Sequence, residues 1–196
     1  MNIITDGLPD CVEIGGEIFH INTDFRVWVK IELLFSDDVP EGYRLPLALG
    51  LAFDVIPENK EEAAEALLAF YSGGKNTEKK PSGKKKKSRR NRRIYSFEYD
   101  SEYIYAAFLQ AYGIDLVDVK MHWFKFKALF ASLPDECLMS KIMGWRALEI
   151  TKDMPEASRK RYAELKETYR LPLSQTEEEK IRAAKRFLAG GGIVIV

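Results

Sequence analysis

Eight cations in ten residues, Lys84-Lys85-Lys86-Lys87-Ser88-Arg89-Arg90-Asn91-Arg92-Arg93, are the densest concentration of one chemistry in this 196-residue chain. Lys84, Lys85, Lys86, Lys87, Arg89, Arg90, Arg92 and Arg93 can neutralise phosphates and release their counterions, which gives salt-sensitive binding without base readout. No aromatic residue interrupts the run, so stacking on single-stranded bases is not encoded. From Gly74 to Arg93 there is also no large apolar residue. Such a segment cannot bury enough surface to offset its ordering entropy, about 1–2 kcal/mol per residue for the backbone, so a long disordered basic loop is expected. It has three candidate environments: solvent alone, a nucleic acid or other polyanion, or an acidic protein surface.

This chain itself supplies an acidic surface. Residues 1–74 hold 14 acidic and 4 basic side chains, residues 75–93 hold 1 and 11, and residues 94–196 hold 15 and 15. The formal net charge of zero is therefore a cancellation between neighbouring blocks. In a homo-oligomer the acidic block of one copy would complement the basic loop of another.

Other reactive residues are not arranged for chemistry. His20 and His122 lie in different elements with no Cys or carboxylate at ligand spacing, so no metal site is expected. The pairs Asp37-Asp38, Glu61-Glu62 and Asp135-Glu136 sit where helix caps, first turns and loops place acids anyway. Gly73-Gly74 lacks the phosphate-loop spacing, and Gly190 to Gly192 follows a helix instead of opening one. No local signature marks a Ser/His/Asp or Cys/His arrangement. The expectation is a protein that is not an enzyme and takes no cofactor. Cys11 and Cys137 have no Cys-x-x-Cys spacing and read as reduced thiols. The N-terminal residues show neither a basic nor an apolar signal region, so cytosolic residence is expected. No apolar stretch approaches the roughly 20 residues of a membrane-spanning helix.

The elements that would position these groups follow from periodicity. Cys11 to Ile21 alternates around Gly15-Gly16 and predicts a β-hairpin. Asn22-Thr23-Asp24 offers caps to a helix over Phe25 to Phe35, although Arg26 to Leu33 also alternates as a strand would. Pro40-Glu41-Gly42 predicts a turn before a short helix over Leu45 to Phe53, and Glu58 to Tyr71 a helix stopped by Gly73. After the loop, Ile94 to Tyr99 predicts a short extended piece with an Asp100 or Ser101 cap. Four helices follow: Glu102 to Tyr112, about Val117 to Leu133, Asp135 to Thr151 with a Leu138, Ile142 and Trp145 stripe, and Pro155 to Tyr169. A last helix runs from the Thr176-Glu179 capping box to Gly190. The final Ile193-Val194-Ile195-Val196 is apolar and β-branched.

This reads as a mainly α (α+β) fold in which an N-terminal hairpin precedes a multi-helix assembly interrupted by the basic loop. Its parts are residues 1–73, the loop 74–93, a helical part 94–172 packing with 1–73 as one domain, and a helix and apolar tail over 173–196.

The order of parts resembles the bacteriophage gene-product-fifteen family, found in the tail modules of phages of Gram-positive bacteria. The resemblance covers about residues 5–172. It is carried by the Gly15-Gly16 hairpin, Asn22-Thr23-Asp24-Phe25-Arg26-Val27-Trp28, Ala66 to Tyr71, Tyr99 to Leu116 and His122 to Phe130. Trp28, Phe108, Trp123, Phe126 and Phe130 are the core positions it implies. The resemblance further implies a gene near the tape-measure gene and a tail-assembly chaperone that keeps the long, apolar tape-measure protein soluble. The partners expected are that protein or other tail proteins, a second copy of the chain, or, on the alternative reading, nucleic acid. No membrane is expected.

Overall fold

The computed structural model describes residues 2–35, 39–73 and 93–172. It is a helical assembly with one hairpin. β1 (Cys11–Ile14) and β2 (Glu17–His20) pair antiparallel with Cys11 opposite His20 and Ile14 opposite Glu17. Gly15 and Gly16 both have positive φ, 61° and 81°, which suits the tight turn whose twist matches the strands. An isolated hairpin is marginal in water. Here Ile14 is buried, and the Gly15 N–H donates to Glu62 Oε2 at 2.7 Å, docking the turn on the third helix.

Helix α1 (Phe25–Leu34) begins at Asp24, whose side chain accepts from the Arg26 N–H. Phe25, Trp28 and Ile31 are its buried face, so the helical period wins over the strand alternation. Helix α2 spans Glu41–Ala52 with Pro46 inside it. The turn expected at Pro40-Glu41-Gly42 is instead the first turn of this helix, with the Tyr43 N–H on the Pro40 carbonyl at 2.9 Å. Pro46 removes one backbone bond, and the burial of Ala48, Leu49 and Ala52 outweighs it. Helix α3 (Lys60–Ser72) buries Ala63, Leu67 and Phe70 and ends at Gly73 in the left-handed region, φ 83°.

Two further corrections concern residues 94–122. Residues 94–96 pair with no strand and residues 97–99 form a turn, so the expected extended piece does not continue through Phe97 to Tyr99. Asp100 stands at the N-cap of α4 (Ser101–Tyr112) but makes no capping bond, because its carboxylate is committed to Arg146. The next helix, α5 (Trp123–Ala131), starts six residues after Val117, where the sequence placed it. The Asp115 side chain holds the Val117 N–H, and Arg26 Nη2 donates to the carbonyls of Leu116 and Val117 at 2.8 and 2.6 Å. Residues 121–123 then run beside 23–25, with Phe25 N–H on the Met121 carbonyl and Trp123 N–H on that of Thr23. These bonds occupy the backbone that a longer helix would need.

Helix α6 (Leu138–Ala147) is shorter than expected; Ile142 is buried as expected, but Met139 and Arg146 take the inner positions expected of Leu138 and Trp145. Met139, Ile142 and Arg146 are inside, whereas Leu138 is 42% exposed. Its C-terminal carbonyls at Trp145, Arg146 and Leu148 accept from Lys166 Nζ at 3.1, 3.0 and 2.6 Å, a cation placed at the negative end of the helix dipole. Lys166 belongs to α7 (Glu156–Thr168), which buries none of its residues fully. The expected helix from Thr176 to Gly190 and the Ile193 to Val196 segment lie outside the described residues.

The core is aromatic. Phe126 stacks on Phe25 at 4.8 Å, Phe108 at 5.0 Å and Trp123 at 5.8 Å. Trp28 stacks on Phe70 at 4.8 Å, joining α1 to α3. Residues 14–70 and 97–139 thus share one continuous core.

Candidate functional site

Two features of this fold stand out among the described residues. The first is a cavity of about 640 Å³ between the end of α3, residues 94–97, α5 and the start of α6. Tyr71, Tyr95, Phe97, Trp123, Phe130 and Met143 supply most of its apolar wall, with Ser72, Lys127, Asp135 and Ser140 as polar groups. This volume falls within the roughly 300–1,000 Å³ of ordinary binding cavities. It lies where the chain enters and leaves the basic segment, because Ser72 and Ile94 both belong to its lining.

The Lys127 ammonium hydrogen-bonds the Tyr71 carbonyl and lies 5.3 Å from the Trp123 ring and 5.0 Å from that of Phe124. Such cation–π contact suits a partly desolvated ammonium. Trp123 Nε1 donates to the same Tyr71 carbonyl at 3.1 Å, so the last turn of α3 is held by α5. On the other side Tyr71 Oη donates to Glu32 Oε2. Burial raises the Glu32 carboxyl above its ordinary range, and the Tyr71 hydrogen bond opposes that rise. Burial, then the hydrogen bond and charge of Glu32, push the Tyr71 phenol up. Tyr95 is pushed up to about 12 by burial and the Glu32 charge. Both phenols therefore act near neutrality as neutral hydrogen-bonding groups and not as bases.

The second surface is the outer face of α2. Tyr43, Pro46, Leu47 and Gly50 follow one another at helical spacing and all are exposed. Tyr43 is 66% and Leu47 48% exposed, and the following loop exposes Val55 at 71% and Ile56 at 48%. Between Glu41 and Asp54 the helix carries one charge, Arg44, and that side chain turns back to the Val39 carbonyl at 2.7 Å. A helix apolar on all sides is normally buried on all sides; this one has a dry side and a wet one.

The residues singled out from sequence are distributed differently. Lys84, Lys85, Lys86, Lys87, Arg89, Arg90 and Arg92 lie outside the described residues, as do Asp37 and Asp38. Arg93 is exposed and donates to the Pro172 carbonyl at 3.0 Å. Trp28, Phe108, Trp123 and Phe126 are buried, and Phe130 is half-buried on the cavity wall. His122 caps α5: its Nδ1 accepts from the Phe124 N–H at 3.0 Å, so its Nε2 is left to donate to the Pro9 carbonyl at 2.9 Å. His20 is exposed on β2. Cys137 is buried at the N-cap of α6, Cys11 is half-buried, and both are free thiols. Among the described residues no three His, Cys, Asp or Glu side chains are placed to hold a metal ion, and no helix is long and apolar enough to cross a membrane.

Sequence reasoning missed Glu32, Tyr71 and Lys127 as a group because they lie 39 and 56 residues apart on three elements. The α2 face left a readable signal, an almost uncharged stretch on a helix beginning at a proline.

The family model described as Bacteriophage Gp15 protein matches residues 4–171. Neither the curated proteins nor the solved structures give a match to this chain.

Proposed function

The chain belongs to the bacteriophage Gp15 family and is a phage structural or assembly protein, and from that premise we propose that it is a non-enzymatic chaperone of tail assembly that binds the tape-measure protein. The observation that carries the reading is the exposed apolar face of α2, Tyr43-Pro46-Leu47-Gly50. A long apolar helical client needs its surface covered until tail subunits enclose it, and a ridge of this kind supplies a groove-filling partner. The acid-rich N-terminal block around it keeps the resulting complex soluble. Co-expression with the tape-measure protein tests the reading. The soluble fraction of the client is expected to rise with this protein present, and indifference of that fraction sinks the proposal.

A second reading rests on the charge of residues 75–93, where 11 cations face 1 acid. Polyanion binding through Lys84 to Arg93 predicts retention of DNA or RNA that falls steeply with salt and disappears when residues 79–90 are deleted. No salt-dependent retention by the intact protein rejects it.

A further inference from the structure

We infer that the 640 Å³ aromatic cavity is a docking site for this chain's own Ile193-Val194-Ile195-Val196 segment. The occupant is chosen by where the described chain leaves the fold. One guanidinium, Arg146, donates both to the Tyr169 carbonyl at 2.6 Å and to that of Ile94 at 3.0 Å. Three residues after Tyr169, the Pro172 carbonyl accepts from Arg93. Ile94 and Tyr95 are lining residues, so the chain exits on the cavity rim.

Ile193 lies 21 residues beyond Pro172. At about 1.5 Å per residue in a helix and about 3.4 Å per residue extended, that length reaches roughly 30–70 Å, ample for a chain leaving from the rim. Gly190-Gly191-Gly192 ahead of the segment imposes no side chains on the approach. The chemistry also matches. Four aliphatic side chains meet a wall of Tyr71, Tyr95, Phe97, Phe130, Leu133 and Met143. Ser72 and Asp135 on the same lining offer oxygen acceptors to an incoming backbone. Docking there removes from water both an apolar segment and an apolar cavity.

The test uses the full chain with Ile195 replaced by photoreactive p-benzoylphenylalanine, irradiated as a mixture of isotope-labelled and unlabelled protein. Cross-links within one chain to Tyr95, Phe130 or Met143 are expected, and Met143→Trp, which fills the cavity, is expected to remove most of them. Hydrogen exchange gives a second readout that does not depend on that variant folding. The Tyr95 and Phe97 amides should exchange faster in I193S/I195S than in the unsubstituted chain. Cross-links to another chain place a second copy in the cavity and overturn the inference. Cross-links elsewhere, no cross-links, or exchange at Tyr95 and Phe97 indifferent to I193S/I195S overturn it as well.

Discussion

Replacing Arg146 with Met removes one end of the buried ion pair that fastens the C-terminal half of the fold. Arg146 Nη1 and Nη2 meet the two Asp100 oxygens at 2.6 and 2.8 Å, with side-chain exposures of 8% and 1%. The same guanidinium reaches the carbonyls of Ile94 and Tyr169, so it ties together the approach to α4, α6 and the end of α7. In R146M the Asp100 carboxylate stays buried with the Ser96 N–H, at 2.8 Å, as its remaining partner from this cluster. Breaking a buried pair from one side costs about 3–5 kcal/mol, against a total stability of about 5–15 kcal/mol for a typical domain. In D100L/R146M no buried charge is left unpaired, and the double variant is expected to recover part of that loss. The two carbonyls still lack their donor, at about 1–3 kcal/mol each where water cannot reach them, so recovery is incomplete. Urea unfolding followed by tryptophan fluorescence and circular dichroism, with m unchanged, measures both variants. A cost for R146M below about 1 kcal/mol, the level of an exposed pair, refutes the reasoning.

Other outcomes follow from the same geometry. Because burial raises the Glu32 carboxyl, the folded state holds that proton more tightly than the unfolded state does. Stability from this group is therefore fully present below the ordinary Glu range and is lost as pH rises towards the folded value. Glu32→Gln, which keeps an acceptor for Tyr71, should exceed the unsubstituted protein in urea midpoint at pH 7 and converge with it near pH 4; an equal gap at both pH values contradicts this. Phe126→Ala opens the centre of the aromatic stack and should cost about 3–5 kcal/mol in urea unfolding. Gly113 has φ 65° with open space around it, so Gly113→Ala should cost about 1–2 kcal/mol from backbone strain alone. Thermal melting or urea unfolding at matched conditions checks this value.

The sequence made some features legible because their causes are local. The Gly15-Gly16 turn, the Asp24 cap, the helix before Gly73 and the Gly73 stop each depend on a few neighbouring residues, and the structure holds them where the local pattern placed them. The misplaced boundaries have long-range causes. Arg26 reaches 91 residues along the chain to hold the Val117 carbonyl out of a helix, and Lys166 gathers the last carbonyls of α6 from 18 to 21 residues away. The stripe expected on α6 ended at Trp145, yet Asp100, 46 residues before Arg146, makes burial of that guanidinium tolerable and puts it on the inner face beside Ile142. Of the two candidate surfaces, the α2 face was written in its composition, while the cavity depends on α3, residues 94–97, α5 and α6 converging, a tertiary arrangement that no local pattern encodes.

The claim that α2 presents the client-binding face is tested most directly by co-purification of tagged tape-measure protein with the unsubstituted chain and with Y43S/L47S. Both residues are exposed, so the double variant should stay within about 0.5 kcal/mol of the unsubstituted stability. The unsubstituted protein is expected to co-purify, and the folded double variant to be lost from the complex. Equal recovery of the two, or recovery of neither, contradicts it.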